Sequence, residues 1–484
     1  MAEMSEEPKF TLRLIIDEEK NKVVLAEACR DFVDVLFSLM TLPMGTIVGL
    51  LKKHQKSEIG CFSNLYKSVE DMIIDSFMTG ACKQMLLNPR SVKEAERKKL
   101  KLKLNLNPTD YDHLKYFKCP NFSSCNMCSD FSGSDCACGR LMIDEIELSE
   151  EEDHKQNDVD GVFVSGRSSF IITDDLNVSV DSTGLVLNTL NSLGCSDVSN
   201  LGEQLLDIGL NEIVQLLECV FSSNTPLTDA LLKKESPQDM ENMHKLLTPC
   251  LETKTDASEP EFTIDAIIRK HDMKILYVEC GEDFVDLLFS FLAVPLEYLC
   301  DTNLGCIGNL RGSFKDLSVD KGKEGLASKC VLPHYYKWQK QLSGISTEEA
   351  PVYYRYRNSN PRQPDYSLTT DCDRTLLYRK DRIVPVTVID PKSLKSENGS
   401  GFVKRGTRFT VSDDLIITPR SCLSTSICYL KKYEIKAAGD VDVQVIRIRE
   451  AEVRNLLRAS LRTSTSALNT ALWNLIAKKP KMET

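Results

Sequence analysis

Two short β-rich runs open the chain, LRLIID at 12–17 and VVLAEA at 23–28, separated by the charged stretch EEKNK. Asp17 to Asn21 supply turn chemistry, so the pair predicts a β-hairpin. The next segment, FVDVLFSLM, has apolar residues at 32, 33, 35, 36, 37, 39 and 40. These nearly encircle a helix, which predicts a helix buried on all sides. Asp31 stands directly before it and is expected as its N-cap. A further helix is expected around SNLYKSVEDM, 63–72.

The same pattern then returns. Residues 262–295 match 10–43 without a gap, sharing Glu27/Glu279, Asp31/Asp283, Phe32/Phe284, Asp34/Asp286, Phe37/Phe289 and Pro43/Pro295. GNLRGSFKDL at 308–317 follows SNLYKSVEDM, and FTVSDDLII at 409–417 follows FIITDDLNV at 170–178. Each half closes with strand, helix, short strand and helix patterns. Matches in one order over so long a span indicate tandem duplication of a unit of roughly 230 residues rather than a solenoid of short repeats. The expected fold class is α+β: two tandem homologous units, each a small mixed or antiparallel sheet covered by helices. The units span 8–235 and 261–476, joined by a Pro-, Ser- and charge-rich linker at 236–260. The first carries a Cys-rich, zinc-knuckle-like insert at 118–140 and an acidic loop at 144–160, and a basic tail occupies 477–484.

Charge narrows the partners. A net charge of −11 over 484 residues disfavours broad contact with nucleic acid or an anionic membrane, which needs an excess of Lys and Arg. The chain opens MAEMSEEPKF, which lacks the apolar core of a secretory signal. Phe32–Leu51 is long enough to span a bilayer, but Asp34 and Pro43, with Asp286, Pro295 and Glu297 in the second copy, oppose spanning. A cytoplasmic or nuclear location is expected. Cys29, Cys82, Cys219, Cys280 and Cys428 then read as buried reduced thiols, and the sequons at Asn121, Asn177 and Asn398 as unglycosylated.

The strongest local chemistry is KCPNFSSCNMCSDFSGSDCACGR, which holds Cys119, Cys125, Cys128, Cys136 and Cys138. Cys125 with Cys128, and Cys136 with Cys138, are two close pairs across a Gly/Ser loop. Cys119 with Cys125 or Cys128 would serve equally as one pair. Two pairs can converge on one tetrahedral ion; four thiolates suit zinc and leave no open position, which makes the ion structural. The bland alternative is a loop of free thiols. The second half keeps only Cys372 in the corresponding region, and offers Tyr353, Tyr354, Tyr356, Arg355 and Arg357 instead. That mixture reads as a solvated edge strand, with an anion or a nucleic-acid single strand as the sharper alternative.

Other polar groups read as structural. Asp174-Asp175 and Asp413-Asp414 recur in both halves, but neighbours on a strand face opposite sides. A turn after an edge strand accounts for them better than an acid–base pair does. Asp34 and Asp286 read as satisfied buried carboxylates. The chain has no Gly-x-Gly-x-x-Gly after a strand, no P-loop, no His-Glu-x-x-His and no Gly-x-Ser-x-Gly.

The opening KFTLRLIIDEEKNKVVLAEACRDFVDVLFSLMTLPMGTIVGLL, the run GCFSNLYKSVEDM, the Cys-x-Cys-Gly element and FIITDDLNV resemble the plant family catalogued as domain of unknown function 674. The resemblance covers nearly the whole chain. It implies an intracellular land-plant protein with no established activity, and places the family's Cys-x-Cys-Gly element on Cys136, Cys138 and Gly139. The expected function is a non-enzymatic interaction scaffold for a protein partner, carrying one structural zinc. The rivals are an enzyme with a site in the cleft between the units and a nucleic-acid binder using the cysteine knuckle.

Overall fold

The computed structural model describes residues 9–78, 80–89, 93, 96–97, 99–102, 104, 115–129, 132–136, 138–148, 161–164, 169–192, 198–233, 262–299, 305–318, 353–357, 366–369, 383–388, 401–420 and 423–476. The linker at 236–260, the tail at 477–484 and Cys372 lie outside them. The first half contributes strands β1 (Phe10–Asp17), β2 (Lys22–Ala28), β3 (Lys115–Lys118), β4 (Met127–Ser129), β5 (Ser134–Asp135), β6 (Leu141–Met142), β7 (Asp144–Glu147), β8 (Phe170–Thr173), β9 (Val178–Val180) and β10 (Leu201–Ile208). The second contributes β11 (Phe262–Arg269), β12 (Lys274–Cys280), β13 (Tyr353–Arg357), β14 (Tyr366–Thr369), β15 (Val384–Val388), β16 (Phe409–Ser412), β17 (Ile417–Pro419) and β18 (Val441–Ile448).

Two five-stranded antiparallel sheets have the same plan. One runs β10-β1-β2-β8-β9 and the other β18-β11-β12-β16-β17. The register shifts by one residue at matching places, between Ile15 and Ile16 and between Ile267 and Ile268. The opening hairpins form as expected, with Asn21 and Met273 in the left-handed turn conformation. Side chains of β1 alternate between core and solvent over Phe10–Leu14, which is the period-two pattern of a sheet with one buried face. Asp144–Glu147, the start of the acidic stretch expected as a loop, is strand β7; residues 149–160 lie outside the described residues.

The helix after each hairpin is buried as its apolar periodicity demands. Helix Arg30–Ser38 buries every residue from Phe32 to Ser38, and Glu282–Ser290 every residue from Phe284 to Ser290. Asp34 is only 2% exposed, yet accepts the backbone N–H groups of Val162, Phe163 and Val164 at 2.9, 2.8 and 3.0 Å. Asp286 accepts those of Phe402 and Val403 at 2.7 and 3.1 Å. Burial pushes the Asp34 carboxyl up, and the three N–H groups work against that shift. Both carboxylates thus tie a helix to a later loop, Asp34 through both of its oxygens and Asp286 through Oδ1.

The N-caps lie two residues before the expected ones. The helices begin at Arg30 and Glu282, so Cys29 and Gly281 are the N-caps, and neither makes a side-chain cap bond. Asp31 and Asp283 sit inside the first turn, where a carboxylate meets the positive helix end without capping an amide. Asp31 also pairs with Lys101. Asp31→Asn and Asp31→Ala should therefore both lower stability by about 0.5 kcal/mol, since each removes the charge. Matched melting curves check this; a silent Asn variant beside a damaging Ala variant would restore the cap.

The two halves interlock. Helix Gly60–Asp71 of the first half packs against the second sheet: Asn64 donates to the Asp414 carbonyl at 2.8 Å, Cys61 to the Thr463 carbonyl at 2.9 Å, and Ile417 N–H donates to Ser68 Oγ at 2.9 Å. Helix Cys306–Leu317 repeats these contacts on the first sheet. Asn309 donates to the Asp175 carbonyl, Cys306 to the Ser223 carbonyl, and Val178 N–H to Ser313 Oγ, at 2.9, 3.4 and 2.9 Å. The chains cross at Pro43 and Pro295, where Met44 N–H bonds the Val294 carbonyl and Leu296 N–H the Leu42 carbonyl, each at 3.0 Å. One apolar core runs through both halves. No helix among the described residues is long and apolar enough to cross a membrane.

Candidate metal centre

A third sheet takes three strands from each half, in the order β14-β13-β15-β4-β3-β7. The halves join where β15 runs parallel to β4, with Thr387 opposite Met127 and Val388 opposite Cys128. This corrects the expectation of a solvated edge strand at Tyr353–Arg357. β13 is an interior strand, bonded to β14 on one side and β15 on the other. Tyr353 and Tyr116 share a hydrogen bond between hydroxyls at 3.0 Å. Arg355 is buried, stacks on the rings of Phe122 and Tyr366, and donates to the Ser123 carbonyl at 3.0 Å. These side chains hold the sheet together, aromatic faces taking the place of a carboxylate partner.

The cysteines emerge from one end of this sheet. Cys119 follows β3, and its N–H bonds the Met127 carbonyl at 3.1 Å. Cys125 ends the one-turn helix Phe122–Cys125, and the left-handed Asn126 then sends the chain into β4. Cys136 and Cys138 sit in the turn of the β5–β6 hairpin. There Cys136 N–H bonds the Arg140 carbonyl at 2.9 Å and Gly139 N–H bonds the Cys136 carbonyl at 2.8 Å. Gly139 has a φ of +80°, a backbone state that glycine adopts at no steric cost. Two tight turns thus face one another.

They bring the Sγ atoms of Cys119, Cys125, Cys136 and Cys138 within 4.8 Å of one another. Cys119 Sγ and Cys138 Sγ are 3.5 Å apart. A tetrahedron with metal–sulfur bonds of about 2.3 Å has sulfur–sulfur edges of about 3.8 Å, so the donor set fits one ion with small adjustment. Asn121 N–H points at Cys119 Sγ from 3.4 Å, and Arg140 holds the Asn121 side chain at 3.1 Å. Such N–H···S contacts orient a thiolate ligand. The Arg140 N–H, then the Cys119 and Cys136 thiols, hold Cys138 down to about 7, whereas burial pushes Cys119 and Cys136 up. The exposed Cys138 is therefore the thiol nearest to its ligating form.

Cys128 stands apart. It is fully buried among Tyr116, Phe122, Ile146, Leu368 and Val386, while Met127 and Phe117 pack with the cysteine cluster. Alternation along β4 sends Cys128 to the opposite face from Met127. The close pair Cys125/Cys128 is therefore not the geometric pair, and Cys119 takes its place. Period two in the short run Met127–Ser129 was the sequence signal that separates Cys128 from the others.

The doubled aspartates follow interior strands, β8 and β16, rather than the expected edge strands, and they divide their work between anchoring and turning. Asp174 is buried and accepts Thr228 N–H and Oγ–H at 2.9 and 2.8 Å. Asp413 accepts Asn469 N–H and its side-chain amide at 2.9 and 2.7 Å. Asp175 and Asp414 instead accept the hydroxyls of Thr173 and Ser412 inside the turns. Neither pair converges on a common point.

The model of the family described as a protein of unknown function, DUF674, matches residues 6–451. The chain belongs to the DUF674 family. No curated protein matches the chain, and no solved structure matches it. Within this DUF674 chain, the thiol cluster is the group of side chains among the described residues whose geometry suits a metal ion.

Proposed function

We propose that this DUF674 protein is a non-enzymatic interaction scaffold with one structural zinc on Cys119, Cys125, Cys136 and Cys138, built from two tandem copies of one unit. The observation that supports the metal is the convergence of four thiols within 4.8 Å from two turns 11 residues apart, the separation of Cys125 and Cys136. Four thiolates select zinc over harder ions and leave no position for a reacting water. The ion would pin the end of the third sheet, the layer to which both halves contribute strands, and so would stabilise their union rather than perform chemistry.

Support for duplication is the matching strand order, the matching register shifts and the reciprocal contacts of Asn64 and Asn309. Support for a scaffold is that the recurrent carboxylates are occupied as anchors and turns. A reducing compartment, cytosol or nucleus, suits the free cysteines throughout the described residues.

Elemental analysis of the full-length protein should find about one zinc per chain. Serine at Cys119, Cys125, Cys136 or Cys138 should remove it, and Cys128→Ser should keep it. Chelation of the wild type should lower the melting temperature, because metal-binding free energy is folding free energy. A metal-free wild type, or equal zinc loss from Cys128→Ser and Cys136→Ser, would refute the assignment.

A further inference from the structure

We propose that the first half binds a small neutral polyol, a mono- or disaccharide, in a cleft on the outer face of its five-stranded sheet. The cleft measures about 610 Å³, inside the roughly 300–1,000 Å³ range of small-molecule sites. It lies where the β1–β2 turn, the β8–β9 turn and the loop at Asn224–Thr225 meet the helix Thr183–Ser192. Leu185, Thr189 and Ser192 face it from that helix at i, i+4 and i+7, one continuous stripe.

Two ion pairs match four of the five charged side chains in the cleft, and neutral donors occupy the fifth, Asp175. Lys20 pairs with Asp17 at 3.0 Å, and Lys22 lies 3.8 Å from Asp174. Asp175 is taken by Thr173, Asn177 and Asn309. A phosphate or an ammonium ligand would have to break one of these pairs. Neutral hydrogen-bonding groups remain: the side chains of Ser179, Thr189 and Asn224 line the cleft and make no hydrogen bond to the described residues. Val24, Ile171 and Leu185 add an aliphatic wall. A sugar offers the complement, with hydroxyls on its edge and C–H groups on its face. A flat heteroaromatic ligand would need an aromatic platform, and none lines the cleft.

In the second half a tyrosine plug caps the position that corresponds to Ser179, although the first-half residues aligned with its tyrosines, Leu25 and Leu190, pack beside the cleft rather than line it. The first match aligns Leu25 with Tyr277; counting on from the second without a gap aligns Ser179 with Thr418 and Leu190 with Tyr429. Tyr277, Tyr429 and Tyr433 stack there, with ring centres 4.9, 6.3 and 6.4 Å apart. The Tyr429 hydroxyl bonds Thr418 Oγ1 at 2.9 Å. Burial pushes the Tyr433 hydroxyl up, and the charges of Asp414 and Asp413 add to that shift. The hydroxyl that the second half satisfies internally is left open in the first, at Ser179. The site is independent of the cysteine cluster.

Saturation-transfer NMR of the full-length protein with glucose, galactose, sucrose and maltose tests this. At least one should receive saturation at millimolar concentration and yield a measurable Kd. Leu190→Tyr, which copies the second half's plug, should abolish the transfer with the melting temperature unchanged. Thr189→Val should weaken the Kd by about tenfold, the scale of one or two lost hydrogen bonds, and stands in if the tyrosine variant does not fold. No transfer to any of the four sugars, an unchanged Kd in both variants, or displacement of the bound sugar by inorganic phosphate would overturn the proposal.

Discussion

Replacing Gly401 with alanine should cost on the order of 4 kcal/mol, among the largest effects of any single substitution in the chain. Two costs add. Gly401 has a φ of +76°, where any Cβ is strained by about 1–2 kcal/mol. The new Cβ would also lie 1.6 Å from Asp286 Oδ2, so the carboxylate must leave the N–H groups of Phe402 and Val403. Both residues are buried and pair with the other half: Met78 N–H bonds the Phe402 carbonyl and Lys404 N–H the Ser76 carbonyl, each at 2.9 Å. Breaking buried bonds to a charged group costs about 1.5–3 kcal/mol each. Gly406→Ala is the internal control. Its φ is +73°, but nothing lies within 4 Å of the added Cβ, so it should lose only the backbone share, about 1 kcal/mol. Urea unfolding of both variants measures the difference. Equal losses would mean that the contact with Asp286 contributes nothing.

The local elements were legible because their signals are local. Alternation in LRLIID and VVLAEA specifies a half-buried hairpin, and the encircling apolar residues of FVDVLFSLM specify a buried helix whatever covers it. Asp175 and Asp414 were legible as turn residues because Asp favours turns, whereas the anchoring of Asp174 to Thr228 and of Asp413 to Asn469 was not legible. The exchange of helices between halves was not legible. The apolar face of Gly60–Asp71 shows that it must be covered, and carries no information on which of two similar sheets covers it. The contact of Asn64 with Asp414 spans 350 residues. The third sheet was hidden for a related reason. Its strands are three to five residues long within runs dominated by loops, and β15 finds its neighbour β4 in the other half.

The thiol cluster was half legible. Residue type and spacing marked the segment 118–140, because cysteine at such density has few other uses. Spacing alone favoured Cys125 with Cys128. The chain instead becomes a strand after Asn126, and a strand cannot present Cys128 to the face that Cys125 reaches from the preceding turn. The displaced N-caps have a similar origin. Asp serves at the cap and within the first turn, so its presence marks a helix start only to within a residue or two. The cleft beside Thr183–Ser192 was not legible, because its lining comes from the β1–β2 turn, the β8–β9 turn and Asn224–Thr225, which lie far apart in the chain.

Phe37→Ala should destabilise the whole chain by about 3–5 kcal/mol, and the loss should be shared between the halves. Phe37 is fully buried on helix Arg30–Ser38. Its ring meets that of Phe314 edge-on, with centres 5.4 Å apart, and Phe163 meets Phe314 from another side at 6.1 Å. Phe314 belongs to the helix that the second half lends to the first. If the halves were independent units, Phe37→Ala would lower one transition and leave a second untouched. Because one core runs through both, a single cooperative transition should move as a whole. Phe314→Ala should produce a loss of similar size, and the double variant should lose less than the sum by about 1 kcal/mol, the contribution of an edge-to-face pair beyond its buried area. Calorimetry of the two single variants and the double variant decides between these pictures. Strict additivity, or a split transition with one unmoved component, would show that the exchanged helix does not join the halves into one folding unit.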